Sequence, residues 1–152
     1  MAERYLAFQL SGRRFGMEMG QCRELLKIPS IAAVPQAPEC LLGVVHVRGQ
    51  ILPVFMLEPF VGTKPAATSE SLQLLILQDR DWTFGLLVQD AFSFQAEPEE
   101  WMPHPQSDYF PVLTGALLFE GEQLGLISLS VLRTALESLV TFDSIETLHQ
   151  AA

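Results

Sequence analysis

Apolar runs of strand length alternate with short polar interruptions through most of the chain, and helical periodicity is scarce before residue 130. The runs YLAFQL (5–10), FGMEM (15–19), VVHVR (44–48) and ILPVFML (51–57) predict strands. So do LQLLILQ (72–78), WTFGLLV (82–88), GALLF (115–119) and QLGLI (123–127). SGRR (11–14), QDRD (78–81) and EGEQ (120–123) read as hairpin connections, with Gly121 supplying a positive φ. In LLGVVHVRGQILPVF (41–55) Arg48 and Gly49 interrupt two apolar runs, and Gly49 supplies the turn backbone. PQAPE (35–39) ends an extended stretch and places Pro38 and Glu39 in the first turn of a short helix.

GTKPAATSES (62–71) has linker composition, and the four prolines of EPEEWMPHPQSDYFP (97–111) exclude one regular element there. SVLRTALESL (130–139) predicts a helix capped by Ser130, with Val131, Leu132, Ala135, Leu136 and Leu139 on one face. A second helix is expected after Asp143, with Glu146 as its cap partner.

The two halves share a layout. FQLSGRRFG (8–16) matches LQDRDWTFG (77–85), each an apolar strand, a polar turn and Phe-Gly. Gly43 and Gly49 recur in spacing as Gly115 and Gly121, each followed by an apolar strand. Two similar β units are the expectation. Closing them into small barrels would remove exposed strand edges.

Composition narrows the function. Hydrophobic residues make up 49% of the 152, enough for one domain with a sizeable core. No apolar run reaches the roughly 18 residues of a membrane-spanning helix. MAERYLAFQL lacks the pattern of a secretion signal, and Cys22 and Cys40 lack metal-ligand spacing, so reduced thiols in a cytoplasmic protein are expected. A net charge of −9 disfavours a nucleic-acid groove, and Arg13-Arg14 is only a doublet. His46, His104 and His149 show no paired spacing, and no nucleophile elbow is present. An enzymatic or small-ligand barrel remains the alternative reading, although no converging set of reactive groups marks it. Neither a cofactor nor a metal is expected.

Four stretches together resemble the chemotaxis coupling-protein (CheW-like) family. YLAFQLSGRRFGMEMGQCREL resembles its opening strands, and VPQAPECLLGVVHVRGQILPVF its central stretch with the Arg-Gly turn. LLILQDRDWTFGLLVQDAF resembles its second-half strands, and LTGALLFEGEQLGLISLSVL its closing hairpin and helix. The resemblance covers about residues 4 to 139 and rests on order and spacing, not on one strong motif.

The resemblance implies a mainly β fold of two intertwined five-stranded SH3-like barrels with short helices and a C-terminal helix. One CheW-like domain would then span residues 1–152. Its subdomains would lie near 15–75 and 76–130, with the N-terminal strand and C-terminal helix crossing over. It implies a non-catalytic adaptor without direct membrane insertion. The partners implied are the cytoplasmic tip of a chemoreceptor and the regulatory domain of a histidine kinase. The array served is chemotactic or of a pilus or surface-motility kind. His46, Val47, Met56 and Ser128 depart from the family's usual Asn, Leu, Asp and Asp, which leaves the pathway open.

By position, the resemblance carries receptor binding to Cys22, Glu24, Gly43 and Arg48. Each has a plainer reading. Arg48 can be a solvated turn residue, or a planar fork of donors for a carboxylate or for helix-end carbonyls. Gly43 reads first as a left-handed residue where a short helix meets a strand. Cys22 reads as a small buried residue and Glu24 as a solvated charge. In an alternating strand the two share a face, so an exposed Glu24 implies an exposed Cys22. Glu97, Glu99 and Glu100 read as a solvated loop, and Trp101 as a cover on the core.

Overall fold

A computed structural model describes residues 3–10, 12–28, 30–58, 72–96 and 113–139. The strands are β1 (Glu3–Leu10), β2 (Arg13–Glu18), β3 (Cys22–Lys27), β4 (Leu41–Val47) and β5 (Gln50–Phe55). They continue as β6 (Leu72–Asp79), β7 (Trp82–Ala96), β8 (Leu113–Phe119) and β9 (Glu122–Ile127), followed by helix α1 (Leu129–Leu139). The fold is mainly β, as expected.

Strand β7 belongs to two sets of five. Its first part pairs antiparallel with β6 and parallel with β5, while β6 pairs β3 and β5 pairs β4. Its second part pairs with β1, which leads through β2 and β9 to β8. The change of partner falls at Gln89, which faces Leu72 in one ladder and Gln9 in the other. Next to it Asp90 adopts φ 49, an unusual value within a strand. The amide of Ala91 donates to Gln73 Oε1 at 3.0 Å, holding this corner.

The internal repeat is present in the backbone. Hairpin β6–β7 repeats β1–β2, and β8–β9 repeats β4–β5. The second pair of hairpins carries the same register shift, at Leu41/Gly43 and at Leu113/Gly115. In each set a hairpin from one half docks in parallel on a hairpin from the other. Gly16 lies beside Leu126, and Gly85 beside Val54.

This intertwining explains the apolar composition. Leu75 and Leu77 point into a large core that also takes Leu6, Phe8, Phe15 and Phe55, plus Leu132 and Leu136 of α1. Their neighbours Leu74 and Ile76 point into a separate core with Val45, Leu52 and Val54. Tyr5 and Ala7 alternate likewise with Leu6 and Phe8, entering a third core with Phe94, Leu124 and Leu126. These strands are buried on both faces and so read as continuous apolar runs. Each fully buried Leu or Phe contributes about 1.5–3 kcal/mol, so the core between the sets holds them as one body.

Several expectations differ from the structure. Strand β3 was absent from the strands read from the apolar pattern, although the family resemblance put Cys22 and Glu24 on one, and β7 runs on past residue 88 to Ala96. Strand β4 begins at Leu41 because Gly43 lies within it. Pro38 and Glu39 start no helix, since the chain turns sharply there and the Leu41 amide donates to Pro38 O at 3.0 Å. Helix α1 begins one residue early, so Ser130 lies inside its first turn. The first amide, of buried Leu129, donates instead to the Gln21 side chain at 3.0 Å. The expectations for 62–71, 97–111 and the segment after Asp143 lie outside the described residues.

Candidate partner-docking site

In the β4–β5 loop both Arg48 (φ 50) and Gly49 (φ 78) adopt left-handed backbone, the two-residue turn that suits the twist of a hairpin. The β8–β9 loop repeats it with Glu120 (φ 50) and Gly121 (φ 81). Arg48 therefore carries part of the turn that the sequence assigned to Gly49 alone.

The turn aims the Arg48 guanidinium at β3. Arg48 Nη1 donates to Glu24 Oε2 at 2.7 Å, and Nη2 donates to Oε1 of the same carboxylate. This fork spans a gap. Among the described residues, β3 and β4 share no ladder, and the facing chains meet at one isolated bridge. There Ala32 and Val44 exchange amide-to-carbonyl hydrogen bonds of 2.9 Å.

Gly43 belongs to the same seam for a reason other than the one expected. It lies in β4 rather than past a helix end, and its φ is not left-handed. A Cβ there would come within 2.3 Å of the Ala32 carbonyl oxygen and 2.8 Å of Ile31 Cγ2. The bare glycine lets the two chains approach.

Cys22 separates from this group. The β3–β6 register shifts between Cys22 and Glu24, which breaks the alternation that would have put them on one face. Cys22 packs instead against the large shared core, its Sγ 3.7 Å from Glu18 O, and burial pushes the thiol up to about 12. Cys40 is buried and its thiol is raised for the same reason. Both thiols are therefore poor nucleophiles. No group of three His, Cys, Asp or Glu among the described residues is arranged to hold a metal, and no described helix is long and apolar enough to cross a membrane.

The seam also has apolar walls that the sequence did not single out. Leu26, Ile31, Leu42 and Val47 are half-buried against the core of this sheet set, and Ile28 just beyond β3 is 38% exposed. Arg23, the bulged residue, donates to Gln78 Oε1 at 3.0 Å on β6. The only advance signal was the apolar pair Ile28 and Ile31 flanking a proline.

A family model described as CheW-like domain matches residues 4–136. The chain belongs to the CheW-like domain family. Curated relatives agree. The chain is 30% identical over 112 residues to Protein PilI of Pseudomonas aeruginosa, an alignment that takes in 74% of this chain and 61% of PilI. It is 28% identical over 137 residues to the probable chemotaxis protein CheW of Rhizobium etli, covering 88% of each. Among solved structures, the scaffolding protein TtCheW of Thermoanaerobacter tengcongensis superposes with a TM-score of 0.78 at 22% identity. That superposition covers 85% of this chain and 86% of TtCheW, which shows the shared fold. The departures at His46 and Met56 fit within it. His46 is exposed opposite Ile51 on the β4–β5 ladder, and the Met56 amide donates to Cys40 O at 2.9 Å.

Proposed function

We propose that the chain is a non-catalytic cytoplasmic adaptor that couples a chemoreceptor's cytoplasmic tip to the regulatory domain of a histidine kinase. In this reading the two sheet sets act as subdomains of one CheW-like domain. The β3–β4 seam is its receptor-docking face, with Glu24, Gly43 and Arg48 at the contact and Cys22 supporting it from beneath.

The observation that carries the reading is the family match over residues 4–136. The geometry supports it: an exposed guanidinium stands beside half-buried apolar side chains, a polar group next to candidate anchors. Similarity to both PilI and chemotaxis proteins keeps both kinds of array within the proposal. The test is reconstitution of the purified protein with a receptor cytoplasmic fragment and a kinase regulatory domain. Co-elution of all three on size exclusion is the expected result. Failure to bind either partner would reject the adaptor role.

A further inference from the structure

The start of β3 is held from outside its sheet. Among the described residues β3 has one ladder partner, β6, and that ladder shifts register between Cys22 and Glu24. The apolar pattern does not fix this register. Leu25 packs against the large shared core and Leu26 against the core of its own sheet set, so a slip by one residue exchanges one leucine for another. The same slip turns Glu24 to the opposite face, away from Arg48.

Two side chains pin the register instead. Arg23, at the bulge, reaches Gln78 through an exposed hydrogen bond. Gln21, just before β3, makes the more buried contact and reaches a separate element. Its Oε1 accepts the amide of Leu129, the first residue of α1 and 108 positions away, at 3.0 Å. Its Nε2 donates to Glu18 Oε2 at 3.5 Å, which orients the group. Helix α1 is a firm anchor, because Leu129, Leu132 and Leu136 are buried in the shared core.

Ser128 leaves this role to Gln21. Its carbonyl accepts the first helical hydrogen bond, from the Leu132 amide at 2.9 Å, so its side chain stands where a cap belongs. The hydroxyl lies instead 3.2 Å from Ser130 Oγ. This is one of the positions that depart from the family's usual Asp. The exposed end of the helix is thus served from β3, and strand and helix are tied together.

We propose that Gln21 is a positioning residue of the docking seam. By holding the start of β3 on α1 it fixes the register that brings Glu24 to Arg48. The consequence for binding rests on the receptor-docking reading of the seam, whereas the effect on β3 does not.

The test compares the parent protein, Gln21→Leu, and Gln21→Leu combined with Ser128→Asp. Three quantities are measured: affinity for a receptor cytoplasmic fragment, urea midpoint, and the labelling rate of Cys22 relative to Cys40, resolved by peptide mass. Gln21→Leu is expected to weaken receptor binding about fivefold and to speed Cys22 labelling about tenfold. It should also lower the urea midpoint. Adding Ser128→Asp gives α1 a cap of its own and is expected to raise the midpoint again without restoring affinity or slow labelling. Unchanged Cys22 labelling in Gln21→Leu would overturn the proposal. So would unchanged affinity there, or recovery of affinity and labelling together with the midpoint in the double variant, the result of a purely structural cap. If the parent protein binds no receptor fragment, the docking reading fails, and the labelling rates alone decide whether Gln21 holds β3.

Discussion

The Arg48 guanidinium grips the Glu24 carboxylate with two hydrogen bonds from across 24 positions of sequence, where the backbones of β3 and β4 make no ladder. The pair is asymmetric. Glu24 is 22% exposed and Arg48 is 69% exposed, so solvent screens the attraction and its contribution to stability is about 1 kcal/mol or less. The arginine can therefore change partners at little cost to the fold.

Arg48→Glu should weaken binding of a receptor cytoplasmic fragment while lowering unfolding free energy by only about 1 kcal/mol. Adding Glu24→Arg should restore the ion pair and the stability. It should not restore binding, because the charge offered at the hairpin tip stays reversed. Urea denaturation and titration calorimetry on the same preparations separate the two effects. Unchanged receptor affinity in the single variant would remove Arg48 from the docking face.

Gly43→Ala should destabilise the protein by about 1–3 kcal/mol, because its Cβ would press on the Ala32 backbone carbonyl. Gly20→Ala, where a Cβ meets nothing within 4 Å, is the contrasting variant. Equal urea midpoints for the two would show that the seam opens freely.

Alkaline pH should unfold the protein earlier than acid-base chemistry at its surface would suggest. Burial holds the Cys22 thiol neutral up to about 12 in the folded chain, against 9.0 for an ordinary thiol. Tyr5 is likewise raised to about 12, by burial first and then by its contact with Glu3. A folded pKa above the unfolded one gives stability that is complete below the unfolded value and is lost as pH rises through the folded one. Urea midpoints should thus hold up to about pH 9 and fall steadily toward about pH 12. Cys22→Ala should flatten the earlier part of that fall. Thiol-reactive dyes should label the native protein slowly at neutral pH.

Glu58→Gln should stabilise the protein at neutral pH by about 1 kcal/mol. Burial raises the carboxyl pKa, and Oε2 has no hydrogen-bond partner. The advantage should vanish below the ordinary carboxylate value of 4.5, where the native side chain is already neutral. Thermal melts of both proteins at two pH values measure this.

What could be read in advance follows from burial. Runs such as Leu74–Leu77 are sealed on both faces by different cores, so they were legible as strands without alternation. Strand β3 was not, because CRELLK is half-exposed, charged at three positions and broken by a bulge. The length of β7 was hidden by Asp90, whose left-handed backbone lets one strand change sheets. At the candidate site, the Arg48-Gly49 turn was visible locally. Glu24 was named with Arg48 by the family resemblance, but their pairing was not visible, since it joins two strands that share no ladder and are positioned by strands from elsewhere. At position 43 the sequence shows that a glycine is present but not why: proximity of another backbone, not handedness, demands it.

The exchange of hairpins makes neither half self-sufficient. Sequence from one half supplies β3, β4 and β5 to a sheet that is completed only by β6 and β7 of the other half, and the reverse holds for the second sheet. A chain carrying one such half would have nothing to complete its sheet. Two copies trading arms would have everything, so this single chain has the connectivity of an arm-swapped dimer whose two arms are held on one backbone.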